Sequence, residues 1–324
     1  MTRGCWQKLS SSYPGRLLVS FMLSTLPLFA SAAGPSIAVL LSGQQTYYQE
    51  VSDVFTRVLA AQPGGVNEVH VYGIDQASQI RPGAMVVAIG SRASEFALQH
   101  LASADILSLL MPVVAWDELC ARHPGPGRRA AVVIDQPLER SLALGQLLVP
   151  SAQRVGAVFG PVSVASKPQL RAAVESRGMA LISAELAGDD NPIGVLSPLV
   201  QKTELFIAVA DRAVFNKSVA KWLLYLSFRQ KVAVIGFSQS YAKAGALGAV
   251  YTSPENIGHH GAELLATVLV PEDEVPTVAE PWRTYYPQYY TLAVNREVAR
   301  GLNIPVPELA VLYRDYQSAL ELNQ

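Results

Sequence analysis

The sequence predicts an α/β protein of two lobes, each a mostly parallel sheet with helices on both faces. Three observations predict it. From residue 36 onward, short β-branched runs alternate with longer segments of helical period, the pattern that layers helices on a parallel sheet. The alternation runs through one series to about Ile134 and starts again near Leu138. A helix isolated between two extended segments, from Ser253 to Pro287, suggests a chain that crosses back to the first lobe and returns.

The elements follow in order. Ser36 to Leu41 is a continuous apolar run ending at Ser42-Gly43, as expected for a central strand buried on both faces. Val51, Val54, Phe55, Val58 and Leu59 then form one helical stripe that Pro63-Gly64-Gly65 stops. Further strands are expected at Glu68 to Tyr72, Met85 to Ile89, Pro112 to Ala115 and Ala131 to Ile134, with a helix after Ser91. The second series reads as a helix over Leu138 to Leu148, a strand at Arg154 to Phe159, and a helix from Lys167 that stops at Gly178. Strands at Ala180 to Ala184, Leu205 to Ala210 and Val232 to Ile235 follow, with a long helix over Val214 to Gln230. Ser253 is a good N-cap with Pro254 at the first helical position. A Pro-rich stretch from Pro271 to Pro287, a strand at Tyr290 to Val294 and a helix after Pro307 complete the chain.

The N-terminus reads as a cleaved signal peptide. Arg3, Lys8 and Arg16 precede the apolar run Leu17 to Ala30 and the small residues Ala30-Ser31-Ala32. That run is shorter than the roughly 20 residues a membrane span needs and carries Ser20, Ser24, Thr25 and Pro27. Cys5 precedes the run, so the expected product is no lipoprotein but a soluble periplasmic chain starting at Ala33. Removing residues 1–32 takes away three of the 25 Lys and Arg and none of the 26 Asp and Glu, leaving 22 against 26 and a net charge of −4. That balance argues against a nucleic-acid or anionic-membrane partner. Cys120 is then the remaining cysteine, so no internal disulfide is expected. The expected division is 1–32 signal peptide, 33–136 with 250–275 as the N-terminal lobe, and 137–249 with 276–324 as the C-terminal lobe.

The stretch Val234-Ile235-Gly236-Phe237-Ser238-Gln239-Ser240, followed by Lys243-Ala244-Gly245-Ala246-Leu247, resembles the ABC-transporter substrate-binding family associated with tryptophan or tyrosine uptake. Asn256-Ile257-Gly258 with Ala262-Glu263-Leu264-Leu265, and Leu292-Ala293-Val294-Asn295 with Ala299-Arg300-Gly301-Leu302, agree with it, and Ala88-Ile89-Gly90-Ser91 and Pro137-Leu138-Glu139 echo it. The resemblance implies a type I periplasmic-binding-protein fold, two Rossmann-like lobes joined by three crossovers. It implies a monomeric solute-binding protein that closes on a small polar or amino-acid-like molecule and hands it to an inner-membrane ABC permease. A periplasmic sensor or interaction subunit that presents its closed form to a receptor is the alternative.

In open parallel α/β sheets, ligands sit beyond the carboxyl ends of the strands. That rule selects Ser42, Gln44, Tyr47, Gly90, Ser91 and Trp116 from the first lobe, and Pro161, Ser163, Asp211 and Ser238 from the second. Ser91 opens a helix, whose free N–H groups favour a carboxylate, and Asp211 is the expected anion for a ligand ammonium. Plainer roles stand beside these. Ser42 and Ser91 also suit helix caps, Trp116 and Tyr47 suit packing as well as stacking, Asp211 suits a cap or a pair with Arg212, and Asp135 suits a structural role. Catalysis is not expected. Gly236-Phe237-Ser238-Gln239-Ser240 has Ser240 where an esterase elbow needs glycine. His259 and His260 lack zinc spacing, Gly125-Pro126-Gly127 reads as a turn, and the glycine fingerprint of a dinucleotide cofactor is missing. No cofactor or metal is expected.

Overall fold

The computed structural model describes residues 36–62, 68–268 and 282–321. The expected signal peptide, Cys5 and most of the Pro-rich stretch lie outside the described residues.

Two six-stranded sheets organise the chain. The first contains β1 (Ile37–Leu41), β2 (Val69–Gly73), β3 (Met85–Ile89), β4 (Ile106–Met111), β5 (Arg129–Val133) and β11 (Arg283–Tyr285), in the order β11-β5-β4-β3-β1-β2 with every pairing parallel. The second contains β6 (Arg154–Phe159), β7 (Ala180–Glu185), β8 (Leu205–Ile207), β9 (Ala233–Gly236), β10 (Gly248–Tyr251) and β12 (Thr291–Val294), in the order β12-β10-β9-β8-β6-β7. There β12 alone runs antiparallel, against β10.

The run Ile37 to Leu41 is buried throughout because β1 has a strand on each side and helices over both faces. Ile37, Val39 and Leu41 face a core shared with α1 (Thr46–Ala60) and α9 (Pro254–Val268). Leu40 faces the opposite layer, under α2 (Ser91–His100) and α3 (Val113–Arg122), together with Leu98, Trp116 and Cys120. Helix α9 lies against α1 at Gly258, where an added Cβ would come within 2.7 Å of the Val51 carbonyl oxygen. The second sheet is covered by α4 (Leu138–Leu148), α5 (Lys167–Ser176) and α11 (Leu309–Glu321) on one face, and by α6 (Pro192–Val200), α7 (Lys217–Arg229) and α8 (Gln239–Ala244) on the other. The short helix α10 (Arg296–Leu302) follows β12.

The fourth strand lies elsewhere than expected, and β10 and β11 were not expected as strands. Pro112 to Ala115 is the start of α3, and the strand is Ile106–Met111. Pro112 has no N–H to give a central ladder but suits the residue before a helix, and it sits there with φ −66° and ψ 145°. The ladder of β4 on β5 shifts between Leu109 and Met111, leaving Leu110 at φ 59°, a bulge that ends the strand.

Among the described residues the chain passes between sheets three times, at residues 134–137, 252–253 and 286–290. The second sheet therefore keeps the chain through Tyr251, and the first takes it back through Tyr285. The expected division after residue 275 falls outside the described residues. Arg140 binds the first and third passages together, donating from Nη1 to Gln136 Oε1 and to the Pro287 carbonyl oxygen, each at 2.7 Å. Thr252 Oγ1 donates to the Tyr289 carbonyl oxygen at 3.2 Å and links the second to the third.

Candidate functional site

The loops after β1, β3, β4, β6, β8 and β9 carry the sequence-selected residues at the carboxyl ends of their strands. Ser42 follows β1 and is buried; its Oγ accepts the N–H of Ala93 at 2.9 Å. It thus caps α2 from a neighbouring loop. Gly90 makes this approach possible. At φ 89° it adopts a conformation that side chains avoid, and a Cβ there would come within 2.6 Å of Ser42 Oγ and 2.5 Å of the Tyr48 ring. Ser91 and Arg92 are exposed on the first turn of α2, and their backbone N–H groups have no partner among the described residues. Gln44 and Tyr47 are also exposed, with the Tyr47 ring tilted against that of Tyr48 at 4.3 Å between centroids.

Trp116 departs from this group. It is fully buried on the inner face of α3, within the layer that holds Leu98 and Cys120. The expectation of a stacking surface came from placing it at a strand end; one turn into a helix, the same residue points into the core.

In the second lobe Asp211, next to Ser163 and Pro161, is committed to its own loops. Its carboxylate accepts four hydrogen bonds: from the N–H groups of Val162 at 3.0 Å, Ser163 at 2.7 Å and Ala213 at 2.9 Å, and from Ser163 Oγ at 2.8 Å. Burial pushes this carboxyl upward, but the Ser163 and backbone donors outweigh it and hold Asp211 below the usual carboxylate range. Pro161 is exposed at the turn. Ser238 caps α8, its Oγ accepting the Tyr241 N–H at 3.1 Å.

Three residues at this face were not selected from sequence. Arg212 pairs with Glu118 rather than with Asp211, its Nη2 lying 3.0 Å from both carboxylate oxygens, which ties the loop after β8 to α3 across the two lobes. Asp135, at the first passage, accepts the Val113 N–H at 2.7 Å. Burial raises the Asp135 carboxyl above its ordinary value, that N–H pulls it back, and the charge of Asp117 adds to the rise. Tyr286, at the third passage, is 41% exposed; burial raises its hydroxyl, and the carboxylates of Asp135, Glu139 and Asp117 push it further. The signal for Asp135 was present, an acid at the carboxyl end of β5; that for Arg212 was masked by the apparent pairing with its neighbour. The described residues contain no cluster of three or more His, Cys, Asp and Glu able to hold a metal ion.

Two mostly parallel sheets, three passages and paired strand-end loops give the two-lobed fold of the type I periplasmic-binding-protein class. The chain belongs to the ABC transporter substrate binding protein family, whose model matches residues 77–315. Its fold is similar to that of the ligand-free, open form of a substrate-binding protein with adhesive properties from Clostridium difficile, with a TM-score of 0.63 at 16% identity over 85% of this chain and 97% of that one. It is also similar to an ABC domain in complex with L-Trp from Streptococcus pneumonia, with a TM-score of 0.55 at 14% identity over 87% and 98%. A conserved domain protein from Vibrio cholerae gives a TM-score of 0.52 at 19% identity over 86% and 98%. No curated protein matches the sequence of this chain.

Proposed function

We propose that this protein is the periplasmic solute-binding component of an ABC importer, that it closes on a small polar or amino-acid-like molecule, and that it passes that molecule to an inner-membrane permease. The observation that carries this reading is the family match over residues 77–315. No helix among the described residues is long and apolar enough to cross a membrane, in keeping with a partner that supplies the channel. The three passages act as hinges, and ligand contacts made only in the closed state drive closure.

Within the cleft we assign the ligand anion to the first turn of α2, where Ser91 and Arg92 offer donors and Arg92 a charge. The ammonium partner moves from Asp211 to Asp135. Asp211 already accepts four hydrogen bonds, whereas Asp135 accepts one from another residue, that of Val113, and a cation beside it relieves the neighbouring carboxylates. The test begins with a thermal-shift screen of amino acids, nucleosides and small organic anions, followed by calorimetry on a confirmed ligand. If the ligand is an amino acid, Asp135→Asn weakens binding by roughly 30-fold with an unchanged melting temperature. Unchanged affinity in Asp135→Asn refutes the assignment of the ammonium, and a screen without hits refutes the amino-acid class.

A further inference from the structure

The solvent face of α7 differs from the rest of the surface. Trp222, Tyr225 and Phe228 stand at i, i+3 and i+6 on this helix and are 41%, 49% and 45% exposed. Elsewhere along the described chain, large exposed apolar side chains occur one at a time, the ordinary condition of a protein surface. Lys217, Lys221 and Arg229 are exposed on the same helix, Lys231 follows it, and Lys243 is exposed on α8. No Asp or Glu occurs on either helix. Lys217, Lys221 and Lys243 have no ion-pair partner among the described residues. Arg229 lies 5.7 Å over the Tyr225 ring and Lys231 lies 5.6 Å over that of Phe228, so two of the cations sit over the rings they flank.

Between α7 and α8 runs a groove of about 640 Å³, lined by Leu224, Tyr225, Phe228, Tyr241 and Val298 with Lys217 among its polar groups. Trp222 is outside that lining. The aromatic surface therefore extends past the groove across the outer flank of the helix, a breadth that fits a planar partner better than a single inserted segment.

Aromatic rings and basic side chains sharing one helix face match the chemistry of a lipid interface. Rings lodge at the headgroup and acyl boundary, and Lys and Arg reach the phosphates. The net negative charge of the whole chain does not forbid this. Screening confines electrostatics to about 10 Å at 0.1 M salt, so an anionic surface at α7 meets the local cations first.

We infer that the α7 face is a peripheral docking surface for an anionic lipid bilayer, with the lysines on phosphates and Trp222, Tyr225 and Phe228 in the interface. Such adsorption holds the protein at the membrane independently of its ligand.

The test is co-sedimentation of the exported protein with vesicles of phosphatidylcholine, with and without phosphatidylglycerol, at low and high salt. Binding is expected only with phosphatidylglycerol and weakens with salt. Lys217→Glu with Lys221→Glu lowers the partition coefficient by about ten-fold or more, as does Trp222→Ala with Tyr225→Ala. Any residual leader binds equally in all variants and cancels in the comparison. A melting temperature near wild type confirms folding of each variant; for one that falls short, Lys217→Gln with Lys221→Gln replaces it. Trp222 emission shifts to the blue on binding, and Trp222→Phe abolishes the shift. No binding, equal binding to pure phosphatidylcholine, or equal binding by the charge-reversed variant overturns the proposal. So does saturable binding of an acidic amphipathic peptide in the absence of vesicle binding, which assigns the face to a protein partner. None of these readouts depends on the solute cleft, so their failure leaves the transport reading untouched.

Discussion

The two lobes start the helices that follow their strands in different ways. In the second lobe α6, α7 and α8 begin at Asn191, Asn216 and Ser238, each of which accepts a backbone N–H of its own helix, while α5 begins at Ser166 without a side-chain cap. In the first lobe α1, α2 and α3 begin at Gln45, Gly90 and Pro112, and none supplies a side-chain cap. Two of these helices borrow a cap from another loop: Ser42 for α2 and Asp135 for α3. Three of the four second-lobe helices that follow parallel strands are thus sealed locally. The first lobe is cross-linked between loops and leaves the N–H groups of Ser91 and Arg92 without partners among the described residues, which supports the proposed anion site there.

The largest expected effect falls on the sealed side. Asp211→Ala leaves buried donors of the loop after β6 without an acceptor and should cost about 3 kcal/mol of stability. Because the folded pKa of Asp211 is depressed, this contribution is present above the ordinary carboxylate pKa of about 4 and is lost as pH falls through the folded value. Urea unfolding at neutral and acidic pH should therefore show the gap between wild type and Asp211→Ala narrowing in acid. A variant as stable as wild type at neutral pH would break the comparison.

A pair of cap removals sharpens it. Ser42→Ala and Asn216→Ala should each cost about 1 kcal/mol, measured by thermal or urea unfolding. Their effects on a confirmed ligand should separate, since Ser42 positions the α2 turn in the cleft and Asn216 seals its own helix. Equal affinities would mean that borrowed and local caps do the same work. The smallest effect is expected for Glu118→Gln, because its pair with Arg212 is exposed on both sides and such pairs contribute about 0–1 kcal/mol. Small-angle scattering of the ligand-free protein should show a larger radius of gyration in Glu118→Gln at unchanged melting temperature, and a salt-induced expansion of wild type that the variant lacks.

Much of the fold could be read from pattern. Continuous apolar runs such as Ile37 to Leu41 and Met85 to Ile89 are strands because burial on both faces leaves no place for polar alternation. Several helices, α3 and α6 among them, were hidden by their residues. Val113 and Val114 made the start of α3 look like strand, although Pro112 marked a helix entry. No element was expected over Pro192–Val200, where Pro192, Gly194 and Pro198 obscure the period of α6, although Asn191-Pro192 is a cap followed by a first-turn proline. The site was legible only to the level of loops. Strand ends selected the segments that carry Ser42, Gly90, Ser163 and Asp211, but polar atoms there are spent on partners far along the chain. Ser42 reaches Ala93, and Asp211 reaches Ser163. Local sequence carries no sign of such pairings, so a free polar group and an engaged one look alike.

Cys120 gives the asymmetry of the lobes a chemical readout in time. Only 1% exposed beneath α2, its thiol is pushed up to about 12 by burial, pulled back by Arg129 and raised again by Asp117. Thiolate, the form that reacts with oxidants and alkylating agents, is therefore withheld while the first lobe stays packed. Alkylation of this thiol clocks the opening of the first sheet alone, blind to events in the second. If the chain is exported into an oxidising periplasm, as proposed, the thiol also sets a deadline: that sheet must close before a disulfide finds it. Lesions that delay folding of the first lobe would leave covalent dimers behind, whereas equal lesions in the second would leave no mark on the thiol.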